Sequence, residues 1–413
     1  MKATIQLDRP IGAHSLPFTS TDYVSGTVHL ILHRDDAVSR ITLELSGTLH
    51  SCVVAVATNP LDGTLEAVDS HKLFEKCLTI FPPRDIPISP KGFSLSKGTR
   101  AFPFQIRLPI LSTCHSTKDW IAHCNTTLPP SFKVQVQNNV ARSEMKYYLK
   151  VKIERPGRFR PDITELQELK FTPLDPSLPP PMLRSFHSKG SRYLSQQPVG
   201  ASTSLSRTTV PRLDSRMVTL EATLPSPAII YTKGSLPLKV SAVVEQGATH
   251  LTPPIWLYTL YVILRTELTV TVGPNSTTWP VLHELINVSG LDTELQNEPP
   301  VELNDDLWKD CVVPDVTPSF TTCTHMQQHF LVVTGGFSYG DNGPIQTIKT
   351  TINIDIHSGM KPAPNLTDGG EWEQAMDSEQ LPFIPWRLGS ERHLGILGRS
   401  SSMSRRTPPP VYY

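Results

Sequence analysis

The chain has 413 residues, of which 38 are basic and 38 acidic, so its formal net charge at neutral pH is zero. This length suggests two to three domains, and the balanced charge gives no electrostatic case for a nucleic-acid partner. No stretch reaches the roughly 18 uninterrupted apolar residues of a membrane-spanning helix, and Met1–Ile5 lacks the apolar region of a signal peptide. We therefore expect a cytoplasmic protein whose six cysteines are reduced.

Residues 1–172 carry apolar side chains at every second position in several short runs. The clearest are Val28–Leu32, Ile41–Leu45, Phe102–Leu108 and Tyr147–Ile153. This period of two is typical of antiparallel strands with one buried and one solvated face. Helical periodicity is rare, and the best helix candidate is the short segment Asp162–Leu169. The pattern predicts two sheets packed face to face, which is a β-sandwich.

Residues 173–216 have a different composition, with a proline run followed by a mixture of Ser, Gly, Arg and Gln. Such a stretch has too little apolar surface to order itself, so we expect a linker or long loop. Its basic residues fit a contact with an acidic partner or plain solubility.

Residues 217–357 repeat the plan of the first half. Alternating runs occur at Leu236–Val244, Leu260–Leu264, Leu268–Val272 and Ile348–Ile356. Two short sequences of the first half recur here in the same order: Gly26–Leu30 resembles Gly234–Leu238, and Pro130–Phe132 recurs as Pro318–Phe320. These repeats predict a tandem of two related β-sandwiches, followed by a flexible tail over residues 358–413.

The chain ends in a Pro-Pro-x-Tyr motif made of Pro409, Pro410 and Tyr412. Consecutive prolines preform a polyproline II rod, and such rods bind the aromatic grooves of WW domains. These three residues are the expected WW-binding contacts. Thr407 lies between two arginines and the proline run, and it is a candidate phosphosite whose added charge would change that binding.

Three motifs resemble those of fungal α-arrestins, the arrestin-related trafficking adaptors. The sequence GTRAFPFQIRLP at Gly98–Pro109 is similar to the family's G-x-x-x-F-P-F-x-[FI]-x-L-P strand. Leu128–Phe132, followed by Tyr147–Val151, resembles its P-P-S-F strand pair, and Val313–Phe320, leading to His329–Val333, resembles a looser second-domain pattern. The resemblance covers residues 1–357 and implies two immunoglobulin-like sandwiches, the arrestin N and C domains.

The resemblance also implies an adaptor that has neither enzymatic activity nor a cofactor. Such proteins link WW domains of a HECT-type ubiquitin ligase to membrane transporters or receptors, for ubiquitination and endocytic sorting. The expected partners are that ligase and the cytosolic tails of membrane proteins. Association with the plasma membrane or endosomes would then occur only through cargo. The alternative is a cargo scaffold similar to retromer-associated arrestin-like subunits, without ligase recruitment.

A cluster of basic residues is the candidate cargo-binding face. Its members are Lys146, Lys150, Lys152, Arg155, Arg158 and Arg160. The three lysines share one side of a predicted strand, where they could hold acidic or phosphorylated tails, or form an ordinary solvated sheet face. The acidic run Asp368–Glu379 in the predicted tail has the opposite charge and is a candidate competitor for this face.

Two weaker patterns suggest chemistry. Gly336–Gly340 matches the Gly-x-Ser-x-Gly elbow of hydrolases around Ser338, but turn residues follow it where a helix is needed. The pairs Cys114-His115 and His123-Cys124 contain zinc-ligand types, yet adjacent residues on an extended chain point to opposite faces. We therefore predict no metal site and keep a Ser338 hydrolase as a remote alternative.

Overall fold

A computed structural model of the chain describes residues 1–9, 16–20, 22–56, 64–83, 85–114, 126–135, 141–157, 160–175, 182–195, 215–245, 253–273, 275–297, 299–340 and 343–360. Within these ranges the protein is almost entirely β-strand, and its helical structure is one 3-10 turn at Asp305–Leu307. In the described part of the chain, no helix has the length and apolarity needed to cross a bilayer. The predicted all-β fold is confirmed.

The described part of the first half contains ten strands. They are β1 (Lys2–Leu7), β2 (Tyr23–Leu32), β3 (Asp36–Val38), β4 (Arg40–Val56), β5 (Thr64–Phe81), β6 (Phe93–Leu95), β7 (Gly98–Arg107), β8 (Phe132–Gln135), β9 (Ala141–Glu154) and β10 (Ile163–Leu169). A three-stranded sheet has the order β1-β2-β7, and a five-stranded sheet has the order β10-β9-β4-β5 with β8 on the edge of β9. Strands β3 and β6 form a separate two-stranded ribbon.

The first hydrophobic core lies between these sheets because the predicted alternation holds along the strands. On β4 and β9, the apolar side chains of the alternating runs are fully buried. Tyr147 lies at the centre, with ring centroids 6.0 Å from Phe74 and 4.6 Å from Phe171. A Cβ at Gly47 would come within 2.8 Å of the Phe74 ring and 2.9 Å of the Tyr147 ring, so only glycine leaves room for this aromatic group.

Ten strands also occur among the described residues of the second half. They are β11 (Met182–Ser195), β12 (Ser215–Ser226), β13 (Ile229–Tyr231), β14 (Lys239–Val244), β15 (Ile255–Val272), β16 (Asn275–Leu295), β17 (Val301–Glu302), β18 (Phe320–Thr321), β19 (His325–Tyr339) and β20 (Gln346–His357). A four-stranded sheet β11-β12-β14-β17 and a six-stranded sheet β13-β20-β19-β15-β16, in which β18 joins β19, enclose the second core.

Each half contains, at the repeated Pro-Ser-Phe sequence, a pair of reciprocal hydrogen bonds that we call the serine clasp. The Ser131 N–H donates to the Phe171 carbonyl at 2.8 Å, and the Phe171 N–H donates to Ser131 Oγ at 2.9 Å. Ser319 and Ile356 form the same reciprocal pair, with both distances 2.9 Å. In each half the phenylalanine after the serine begins a short edge strand, β8 or β18. The repeat seen in the sequence is therefore also a structural repeat.

The structure differs from the sequence pattern in two places. Ile163–Leu169, within the best helix candidate, is strand β10, which pairs along its whole length with β9. Within the predicted linker 173–216, Met182–Ser195 forms β11 and pairs with β12. Its order comes from ladder hydrogen bonds and from polar contacts such as Ser188 Oγ donating to the Thr351 carbonyl at 2.9 Å. The domain boundaries themselves stay predictions.

Strand β15 connects the two cores. Its first part lies in the second core, whereas Leu268, Val270 and Val272 near its end pack into the first core. Phe320, at the start of β18, also joins the first core and stacks on Phe132 with ring centroids 5.1 Å apart. The two halves are therefore in direct apolar contact, and a polar cluster lies beside it.

Candidate functional site

The residues expected to bind WW domains lie outside the described part of the chain. These residues are Pro409, Pro410 and Tyr412. Three other predicted features also lie outside it: the candidate phosphosite Thr407, the acidic run 368–379 and Arg158 of the basic face. The predictions for these residues therefore rest on the sequence. The structure does describe the remaining members of the basic face.

The three lysines of this face lie on β9, and each forms an ion pair with a nearby carboxylate. Lys150 Nζ lies 3.5 Å from a Glu44 oxygen on the neighbouring strand β4. The other two pairs are Lys146 with Glu144 at 3.0 Å and Lys152 with Asp162 at 3.1 Å. The hydrogen bond to Glu144 raises the pKa of Lys146. A cargo segment that binds here must compete with carboxylates already in place.

The two described arginines of the face converge on one acid. Arg155 and Arg160 donate to the two oxygens of Asp36 at 2.8 and 2.7 Å. Burial alone would raise the pKa of Asp36, but the Ala37 N–H and the two guanidinium groups outweigh it and hold this pKa below its ordinary value. Arg155 and Asp36 are nearly buried, so they fasten the end of β9 to β3.

The sequence indicates the acidic partners of two of the three lysines. Glu144 lies two residues before Lys146 on the same strand, so the two side chains share a face. Glu44 lies on the wet side of the alternating run Ile41–Leu45, so it was already expected on a solvated face. That it faces Lys150 follows from the β4–β9 register, which places the two residues opposite each other. Asp36 and Asp162 come from separate segments, and nothing in the sequence brings them to the cluster.

A graded loss of stability is expected along this face. Replacing Arg155 with alanine removes one of the two guanidinium partners of the nearly buried Asp36 and should lower the free energy of unfolding by about 1–3 kcal/mol. Replacing Lys150 breaks an exposed pair and should cost less than about 1 kcal/mol. Urea unfolding of both variants measures the difference. Equal losses would mean that the Arg155–Asp36 pair contributes no more to stability than the exposed Lys150–Glu44 pair.

The second cluster of polar side chains lies where the two halves meet. Asp69 and His71 are two residues apart on β5, so they share a face, and both are almost completely buried. His71 Nε2 lies 2.7 Å from Asp69 Oδ2, and His71 Nδ1 lies 3.6 Å from Cys114 Sγ. Cys114 Sγ in turn lies 3.7 Å from the sulfur of Cys323, which belongs to the second half. This cluster joins side chains that sequence reasoning had not connected.

His325 extends the cluster and ties the halves together. Its Nε2 lies 3.2 Å from Ser51 Oγ and 2.6 Å from Ser143 Oγ, while its Nδ1 lies 2.9 Å from Thr324 Oγ1. Burial lowers the pKa of His325 to about 3; the neighbouring His71 acts in the same direction, and Asp69 opposes it. The ring is therefore neutral at physiological pH, and it joins two strands of the first half to the second.

Ser338, the candidate nucleophile, has the surroundings of a structural hydroxyl. It is 1% exposed and lies near the end of β19. Its Oγ lies 2.9 Å from the carbonyl oxygens of both Gly340 and Gly343, which share its single proton. A hydroxyl held in this way fixes the turn after β19, and its geometry does not favour attack on a substrate.

Strand β9 and the cluster around His71 are thus the two described places where function could reside. The first bears the candidate cargo face, and the second joins the two halves. Compared with known proteins, the chain matches no family model and no curated protein. The α-arrestin resemblance consequently stays a prediction based on motifs.

Proposed function

We propose that this protein is a non-enzymatic adaptor that links a WW-domain ubiquitin ligase of the HECT type to membrane transporters or receptors. The observation that carries the proposal is the terminal Pro-Pro-x-Tyr motif of Pro409, Pro410 and Tyr412, which follows two tandem sandwiches in the sequence. A rod of consecutive prolines loses little conformational entropy on binding, which favours recognition by a partner.

The repeated serine clasp supports the tandem arrangement that the proposal needs. The same two reciprocal hydrogen bonds occur at Ser131 in the first half and at Ser319 in the second. Two related sandwiches in direct contact offer a broad surface for cargo, while the motif supplies a separate site for the ligase. The lysines of β9 remain the proposed cargo contacts, and an acidic cargo tail would exchange with their carboxylate partners.

The decisive experiment uses two adjacent tyrosines. Isolated WW domains are titrated against the full-length protein, Tyr412→Ala and Tyr413→Ala. The motif tyrosine is Tyr412, so its replacement should weaken binding at least about tenfold, whereas Tyr413→Ala should bind like the parent. Both variants should keep the thermal midpoint of the parent because the sandwich cores do not depend on the motif.

Two results would contradict the proposal. One is a parent protein that captures no WW domain, which would favour a cargo scaffold without ligase recruitment. The other is full binding by Tyr412→Ala.

Phosphorylated and plain tail peptides, titrated in the same assay, test whether phosphate on Thr407 changes the affinity.

A further inference from the structure

The cluster at the contact between the halves contains the side chains that zinc prefers. Nδ1 of His71 and the sulfurs of Cys114 and Cys323 all lie within 4.8 Å of one another. Thiolate and imidazole are the ligands of most protein zinc sites, in which the metal is tetrahedral. The three donors come from separate segments of the chain, so their convergence results from the fold.

Two of the interatomic distances match those of a zinc tetrahedron. With Zn–S bonds of about 2.3 Å, two sulfurs on one tetrahedral zinc lie about 3.8 Å apart. The two sulfurs of Cys114 and Cys323 are 3.7 Å apart. A sulfur and an imidazole nitrogen on the same ion lie about 3.6 Å apart. The distance from Cys114 Sγ to His71 Nδ1 is 3.6 Å.

Asp69 supplies the supporting carboxylate that zinc-binding histidines commonly have. Its Oδ2 accepts the Nε2–H of His71 at 2.7 Å. This bond fixes the tautomer, so the lone pair is on Nδ1, the nitrogen 3.6 Å from Cys114 Sγ, and the basicity of the ring rises. Asp69 is 2% exposed, and burying a carboxylate costs free energy unless it is paired or hydrogen-bonded, as Asp69 is with His71.

The cysteines are also held in place by the backbone around them. The Thr113 N–H, next to Cys114, donates to the Leu73 carbonyl at 2.7 Å. Cys323 lies in a turn closed by a bond of 2.7 Å from the Thr322 N–H to the His325 carbonyl. Both sulfurs therefore approach His71 from anchored backbone, which is what a preformed metal site requires.

We infer that His71 Nδ1, Cys114 Sγ and Cys323 Sγ bind one Zn²⁺ ion, with Asp69 as the positioning residue. On binding, two Zn–S bonds and one Zn–N bond form, the two S–H bonds break, and two protons pass to solvent. No electron is transferred. The fourth position of the tetrahedron is filled by a water molecule, as in other zinc sites with three protein ligands.

The site would fasten the two halves to each other. His71 and Cys114 belong to the first half and Cys323 to the second, so one ion would fix the contact formed by Phe132 and Phe320. A disulfide between the two cysteines would also connect the halves, but it needs the sulfurs about 2.05 Å apart and uses neither His71 nor Asp69. This inference does not depend on the proposed function.

The test begins with the parent protein, which needs no substitution. Full-length protein purified under reducing conditions should contain about one zinc per chain by elemental analysis. After removal of the metal with a chelator, titration with Co²⁺ alone should give the intense absorption of a tetrahedral cobalt–thiolate site. Loss of zinc should also lower the thermal midpoint, because the ion binds the folded state.

Variants then assign the ligands. Cys114→Ser and Cys323→Ser should each abolish the cobalt–thiolate spectrum or weaken metal binding at least about tenfold, whereas Cys77→Ser, at an exposed cysteine, should match the parent. Asp69→Asn should keep the spectrum and weaken zinc binding about 10- to 100-fold, as expected of a positioning residue. A parent protein that binds neither metal, or that forms a Cys114–Cys323 disulfide while metal is present, would overturn the inference.

Discussion

Replacing Phe104 with alanine is expected to lower the free energy of unfolding by about 3–5 kcal/mol. Phe104 lies on β7, is 6% exposed and belongs to the first core. Removal of the ring forfeits its burial and leaves a cavity that the surrounding sheets can fill only in part. Urea unfolding, followed through the transition of the first half, measures the loss.

The adjacent Gln105 provides the matched control. It is exposed on the opposite face of β7, so Gln105→Ala should change the free energy of unfolding by less than about 0.5 kcal/mol. The two residues are neighbours on β7, and their side chains lie on opposite faces of the strand. Equal losses in the two variants would mean that β7 does not present one dry and one wet face.

Much of the fold could be predicted because strand periodicity is a local property of the sequence. In the run Tyr147–Ile153, each apolar residue is buried, and the lysines between them lie on the other face. The same holds for Phe102–Leu108 and for Ile348–Ile356. Which strand pairs with which is not local, and the assignment of Leu268–Val272 to the first core needed the structure.

Main-chain hydrogen bonding explains both places where the strands differ from the sequence pattern. The segment Ile163–Leu169 consists largely of good helix formers, yet main-chain pairing with β9 makes it a strand, because sheet context outweighs intrinsic propensity. Strand β11 has little apolar surface, and hydrogen bonds to β12 and β20 order it nevertheless. A Cβ at Gly190 would lie 2.2 Å from the Lys349 carbonyl oxygen, so this glycine permits the close approach of β20.

The cluster around His71 could not be predicted for a different reason. Cys114 is 43 residues from His71 and 209 residues from Cys323, so no short motif contains the three. The zinc-ligand pattern in the sequence pairs Cys114 with its neighbour His115, which lies outside the described residues. The sequence predicts no metal site, whereas the distances among the three side chains argue for one.

A second large effect is expected from His329 when the pH falls. His329 on β19 is fully buried, with Nδ1 3.0 Å from Thr266 Oγ1 and Nε2 3.1 Å from the Thr317 carbonyl. Burial lowers its pKa to about 4; the Thr317 carbonyl opposes this shift, and the charge of His283 adds to it. The unfolded chain keeps the ordinary value of about 6.5. Between these two values, the unfolded state binds more protons than the folded state.

Stability should therefore fall as the pH drops from about 6.5 to about 4, and His329 should account for about 3 kcal/mol of that loss. Urea unfolding at several pH values measures it. His329→Gln keeps a donor and an acceptor but does not titrate. Between pH 6.5 and 4, its free energy of unfolding should therefore fall about 3 kcal/mol less than that of the parent. Parallel curves for His329→Gln and the parent would show that His329 titrates alike in both states.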